Sequence, residues 1–369
     1  MGSKNHKKKR IEIKCENNIP TTCELIGNRK IIEKKKMYGN INYLLTSKFD
    51  NQEIIIIAYG YGDFAKGDID IFDNQTLQPL TNEKISDKFL NGIVHKIIEI
   101  KTGKFLISTY TNIQKIKIEK DNCTNKFKVT KVKNFLLKNQ IDNTITQIIK
   151  LENGNFVILN KNHFLRLFTS TKLNNKKKKI YKETIINLSD PKLENYDMIP
   201  INNDIIVYNN EKYLNIFSLV NKQIRTKFQL IISYNTDDII RKISDDMIFF
   251  AGINNLYFIS IKKGIIVKHI VIPKIYSIIA LGDLSDNNIL CASMLLRKHS
   301  YSFDFIQIKY NFEKTDVKKE EEFKVNINSF YQFEDSGYGN IYIKELEDKR
   351  IIFGTEETIY IFGTNKNIS

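Results

Sequence analysis

The chain has 369 residues, with 57 basic against 42 acidic side chains, a net charge of +15, and 42% hydrophobic residues. That balance excludes a disordered tail, and the length is more than enough for a sizeable core. The longest unbroken apolar run, residues 54–59, is far short of the ~20 residues a membrane helix needs, and no apolar block follows Met1 closely enough to act as a secretory signal. The expectation is a soluble protein of the cytoplasm or nucleus.

The basic N-terminus comes first: Lys7, Lys8, Lys9 and Arg10 sit in a predicted flexible tail over residues 1–22. Four readings compete for it: a solubilising tail, a nuclear import patch, a nucleic-acid arm, or a Gly2 lipid anchor with a polybasic second signal. His6 stands where the lipidation motif wants Ser or Thr, which weighs against the anchor. Cys15 and Cys23 with His6 make three metal ligands without a fourth, so no metal is expected. All four cysteines, with Cys123 and Cys291, are too scattered for a disulfide framework. Cys291, inside an apolar strand, reads as core.

From there a repeat runs along the chain. Its clearest copy, residues 148–169, is an apolar strand, a polar turn at Glu152-Asn153-Gly154, an apolar strand, a short turn, and an alternating strand ending on Phe168. The same grammar occupies residues 41–72, 97–118, 198–219, 239–261, 278–308 and 341–362. Second strands are predicted to start at 54, 105, 156, 205, 248, 289 and 351, periods of 41 to 62 residues. Fourth strands are weaker; residues 127–132, 223–228 and 264–270 are the candidates. No apolar stripe at 3.6 spacing persists long enough for a helix. The segment 23–37, with a strand-like centre at Arg29 to Ile32, has no repeat of its own, and the last copy lacks a fourth strand.

Each unit is rich in Ile, Phe and Tyr on both faces and cannot hide them alone; stacking units around a ring does so. The expected fold is all-β: one seven-bladed β-propeller of four-stranded antiparallel blades over residues 23–369, the ring closed by an N-terminal strand that completes the last blade.

With third strands ending in Phe72-Asp73, Phe168-Thr169, Phe217-Ser218 and Phe362-Gly363, the chain resembles the WD-repeat propellers, although it has no tryptophan and lacks both the Trp-Asp and Gly-His signatures. The resemblance implies a non-catalytic scaffold for protein partners in a multi-subunit complex, with no cofactor and no small-molecule substrate. It also implies that second-to-third-strand turns share a face with the blade connections. The two longest such turns supply the partner-binding candidates: Tyr59, Tyr61 and Phe64 in the first copy, and Arg297, His299 and Tyr301 in the sixth. Tyr and Arg are the residues that anchor interfaces.

The alternative is an RNA-associated ribonucleoprotein or nucleolar subunit that uses a basic sector. Residues 1–36 hold 11 basic against 4 acidic groups and residues 101–138 hold 10 against 2; Lys176, Lys177, Lys178 and Lys179 add a further run. Against it, arginine occurs only at 10, 29, 166, 225, 241, 297 and 350, and stacking aromatics are missing from the lysine runs.

Overall fold

The structure is a computed structural model. It describes residues 24–25, 29–37, 39–61, 66–81, 92–109, 112–121, 123–124, 126–135, 144–160, 164–172, 179–188, 197–210, 213–230, 239–272, 278–296, 301–313, 322–335 and 341–363. These form seven antiparallel sheets. Blade 1 has three strands, Asn40–Phe49, Gln52–Tyr61 and Lys66–Asp73. Blades 2 to 6 have four each; their second strands are Lys104–Thr109, Phe156–Asn160, Ile205–Asn209, Met247–Gly252 and Asn288–Leu296. Blade 7 has Tyr342–Glu345, Ile351–Gly354 and Thr358–Gly363, and the predicted closure is present: Arg29–Lys36 pairs antiparallel with Thr358–Gly363, and Glu24–Leu25 pairs outside it. Among the described residues, blades 2 to 6 have the four strands expected, blade 1 has three, and blade 7 has its own three plus Arg29–Lys36 and Glu24–Leu25.

Alternation along the second strands explains the ring. In blade 1, Ile54, Ile56 and Ala58 pack in a cluster with Val94, Phe105 and Ile107 of blade 2. Their neighbours Ile55, Ile57 and Tyr59 pack in a different cluster with Ile352, Ile359 and Ile361 of blade 7. A strand turns successive side chains to opposite faces, so one unbroken apolar run serves two seams. The same split recurs around the circle: Val157 and Leu159 face blade 4 while Phe156 and Ile158 face blade 2, and Met247, Phe249 and Ala251 face blade 6 while Ile248 and Phe250 face blade 4. Cys291 lies in the seam of blades 5 and 6, where burial pushes its thiol pKa up. Third-strand aromatics do the packing expected of them: Phe72, Phe168, Phe217 and Phe362 are all buried, each in a seam.

Polar turns fix the strand ends. Asp204, just before the second strand of blade 4, accepts from Ser218 Oγ and Val220 N, both at 2.8 Å, while its carbonyl takes Leu219 N at 2.7 Å. Asp246 repeats the arrangement in blade 5 with Ser260 Oγ at 3.2 Å, Lys262 N at 2.6 Å and Ile261 N at 2.7 Å. Asp73, at the position matching the second residue of the missing Trp-Asp pair, receives Gln75 N and Thr76 N, each at 2.9 Å. Burial alone would raise the Asp73 pKa, but these N–H donors and the Thr76 hydroxyl outweigh it and hold the carboxyl below its usual value.

Two regions read as long loops are partly ladder. In blade 1 the pairing runs on to Gly60 with Gly67 and Tyr61 with Lys66. The two glycines make room for the incoming connection: a Cβ on Gly67 would stand 2.9 Å from Gly92 O, and one on Gly60 would stand 3.1 Å from Ile93 Cγ1. In blade 6 the second strand runs to Leu296 and the third begins at Tyr301, so part of the long turn of the sixth copy is strand. Its third and outer strands, Tyr301–Glu313 and Glu322–Asp335, have 13 and 14 residues and pair along their length.

Ile56→Ala and Ile57→Ala should each lower unfolding free energy by about 2–4 kcal/mol, and the double variant should lose close to the sum, because the two side chains fill different seams. Chemical denaturation of the three variants checks this. A sheet buried on one face only would tolerate one of the two.

Candidate docking surfaces

Because all second strands run the same way relative to the ring axis, their second-to-third-strand turns emerge on one face of the disc. Tyr61 ends the second strand of blade 1 and Tyr301 begins the third strand of blade 6, so the two predicted candidates share that face on either side of blade 7. Phe64, Arg297 and His299 lie outside the described residues. Tyr59 is different: it is 1% exposed, packs between blades 1 and 7, and donates its hydroxyl to Asp70 at 2.5 Å. Its place is in the core, because the strand passes through the position read as loop.

Between Tyr61 and Tyr301 the same face carries the turn of blade 7. Met37 N donates to Glu357 O at 2.7 Å, Ile41 N to Glu356 O at 2.6 Å, and Asn40 Nδ2 to Glu356 Oε1 at 2.6 Å. Lys36 pairs with Glu357 at 3.4 Å. The link from the closing strand to blade 1 is thus clasped onto blade 7.

The inner strands are stitched across the seams by polar contacts. Ser47 Oγ donates to Glu99 Oε2 at 3.0 Å, Asn153 N to Asn203 Oδ1 at 2.8 Å, and Ile240 N to the buried Asp197 Oδ2 at 2.8 Å. Arg241 Nη2 reaches Leu281 O at 2.5 Å, Ser285 N reaches Glu345 Oε2 at 2.7 Å, and Lys48 pairs with Glu347 at 2.9 Å. Between blades 2 and 3, Lys96 Nζ donates to Gln147 Oε1 at 2.5 Å, and His95 Nε2 donates to Thr146 O at 2.6 Å. Burial in this seam lowers the His95 pKa; the Thr146 contact opposes this and the Lys96 charge adds to it. No motif in the sequence marks these contacts, since each joins residues about one blade apart.

Among the described residues, the basic strands of blades 2 and 7 are not neighbours. The lysine-rich third and outer strands Ile113–Asp121 and Lys126–Phe135 belong to blade 2, whereas Arg29–Lys36 belongs to blade 7, and blade 1 stands between them. Lys179 opens the outer strand of blade 3, paired with Lys172. Lys176, Lys177 and Lys178, like Lys7, Lys8, Lys9 and Arg10 and the rest of residues 1–22, lie outside the described residues. Among the described residues no group of three or more His, Cys, Asp and Glu is placed to hold a metal ion, and no helix is long and apolar enough to cross a membrane.

No protein-family profile and no curated protein matches the sequence. Solved structures match by shape. A chain in the crystal structure of a mitotic checkpoint complex superposes with a TM-score of 0.58, covering 90% of this chain and 93% of that one at 7% identity. The chain has the fold of a WD-repeat-like seven-bladed propeller. In all, 653 chains of solved structures match, as expected of a fold that hosts many functions, so the likeness speaks for the fold alone.

Stability should be full above about pH 6.5, the ordinary value for His95, and should fall as pH drops through its depressed native pKa. The unfolded chain takes up that proton first, so acid favours unfolding. His95→Gln, which keeps a donor for Thr146 O, should flatten this part of the pH–stability curve measured by thermal melts.

Proposed function

We propose that the chain is a non-catalytic protein-interaction scaffold: a rigid disc that presents turns and strand edges to partners within a larger complex. The observation that carries this reading is the closed, seam-stitched ring, in which the strand ends at Tyr61 and Tyr301 and the turn of blade 7 lie on one face. A ring with buried seams on both sides of every blade moves little, so partners that dock on separate blades are held at fixed distances. Its likeness to a chain from a multi-protein checkpoint complex supports the reading at the level of fold. Partners are proteins in this proposal, and its docking residues are Tyr61 and Tyr301 with the turns beside them.

Affinity purification of the intact chain, with and without nuclease, tests it. The expected result is a set of protein partners that survives nuclease, part of which is lost in a Tyr61→Ala, Tyr301→Ala double variant that still melts normally. Loss of every partner on nuclease treatment would contradict the proposal and favour the RNA-associated alternative.

A further inference from the structure

The outer strand of blade 5, Ile265–Val271, is unlike its neighbour on blade 4. Blade 4 ends in Gln223–Gln229, which turns Gln223, Arg225, Lys227 and Gln229 to solvent and half-buries Ile224, Thr226 and Phe228. Blade 5 instead exposes apolar side chains: Ile265 at 49%, Ile266 at 39%, Val267 at 38% and Val271 at 63%. It is the last strand of its sheet, with no further strand beside it among the described residues. Ile272 N donates inward to Asn254 O at 2.9 Å, and the register pairs Ile270 with Leu256 and Lys268 with Phe258. In an antiparallel ladder the alternate residues, His269 and Val271, therefore aim their N–H and C=O groups outward.

An exposed, β-branched edge of this kind templates another strand, and natural proteins usually blunt it with charge, proline or bulges. Here the protection is one lysine, one histidine and a bulge at Val267, the extra residue between the Lys268–Phe258 and Ile266–Ile259 pairs; neither the lysine nor the bulge occupies the end of the strand at His269 to Val271. His269 is held in place by stacking on Tyr257, ring centroids 4.7 Å apart, and by Asn255 Oδ1 at 2.7 Å.

Charge selects the occupant. Residues 219–230 and 261–272, the adjoining rims of blades 4 and 5, carry Lys222, Arg225, Lys227, Lys262, Lys263 and Lys268 and no Asp or Glu of their own. Arg225 is paired with Asp204 at 2.9 Å, Lys227 lies over the Tyr213 ring, and Lys268, opposite Phe258, lies on the blade 6 side of its strand. Gly264 brings the two rims together: a Cβ there would lie 3.2 Å from Thr226 Oγ1. A second copy of the chain paired antiparallel about the strand centre would set Lys268 against Lys268, and like charges directly opposite destabilise a sheet. The basic residues 1–22 are repelled in the same way.

We propose that Ile265–Val271 is a docking edge for an extended segment of a partner protein in which acidic and apolar residues alternate, added to blade 5 as a fifth strand. The inference rests on the scaffold reading and assigns it a site and a partner chemistry. Main-chain bonds from His269 and Val271 would hold the segment; its carboxylates, all on one face, would meet Lys268, and its apolar residues, on the other, would cover Ile266 and Val271, which pair with Ile259 and Asn255.

The test uses the full chain and a fluorescein-labelled peptide of sequence Glu-Val-Glu-Ile-Glu-Val-Glu, with its lysine-for-glutamate counterpart as control. The acidic peptide should bind saturably and slow amide exchange at His269 and Val271, and the lysine peptide should not bind. Lys268→Glu should weaken binding at least tenfold, as should Val271→Lys, with melting temperatures unchanged. Equal binding of both peptides, or indifference to Lys268→Glu, would overturn the proposal. So would a homodimer in sedimentation that dissociates in the Val271→Lys variant, which would assign the edge to a second copy. If nuclease-resistant partners are captured equally by the wild type and by Lys268→Glu while no peptide binds, this edge is wrong and the scaffold reading stands.

Discussion

Two-sided burial of the second strand of each blade is the constraint on which everything else rests. Residues 54–59 of blade 1 are all 0–1% exposed, yet odd and even positions touch different neighbours. Each fully buried Ile or Phe side chain is worth about 1.5–3 kcal/mol by removal from water, so leaving either face of a blade open would cost more than most domains have in net stability. Only a closed circle gives every blade two neighbours. The closing strand Arg29–Lys36 therefore does more than add four lysines and one arginine to the rim. It joins blade 7 on one side and, through Lys35 Nζ to Leu77 O at 2.8 Å and over the Phe72 ring at 4.9 Å, blade 1 on the other.

That constraint made the fold legible without a signature motif. Unbroken Ile-rich runs at regular intervals, separated by Asn, Asp and Gly turns, say that each sheet is buried on both faces, and the loss of Trp-Asp does not change that arithmetic. Phe72, Phe168, Phe217 and Phe362 fill the seams in its place. The orphan strand-like segment around Ile31 and the missing fourth strand of the last copy called for each other on edge-pairing grounds alone.

Surface features were less legible, for identifiable reasons. Gly60 and Gly67 look like turn residues; the structure uses them as flat strand positions that let Gly92 and Ile93 cross close by, a requirement set by residues far along the chain. Tyr59 reads as part of a long second-to-third-strand turn, but the strand continues through it and alternation sends it inward beside Asp70. Arg29–Lys36 is separated by blade 1 from the other described basic strands, Ile113–Asp121 and Lys126–Phe135, because the closing strand leaves its neighbours in sequence to pair with blade 7. The basic, apolar rim of blades 4 and 5 was hidden for a different reason: its six basic residues are divided between two short strands and the turns before them, which only the fold brings together.

Native-state amide exchange across the second strands measures ring closure directly. In the intact chain, amides in the second strands of blades 1 and 7 should be protected to the same degree as those of blade 4, and removal of residues 1–36 should lower protection in blades 1 and 7 by at least about 30-fold, the equivalent of ~2 kcal/mol. Fast exchange in those two blades of the intact chain, or no change on removing the segment, would contradict the closed ring.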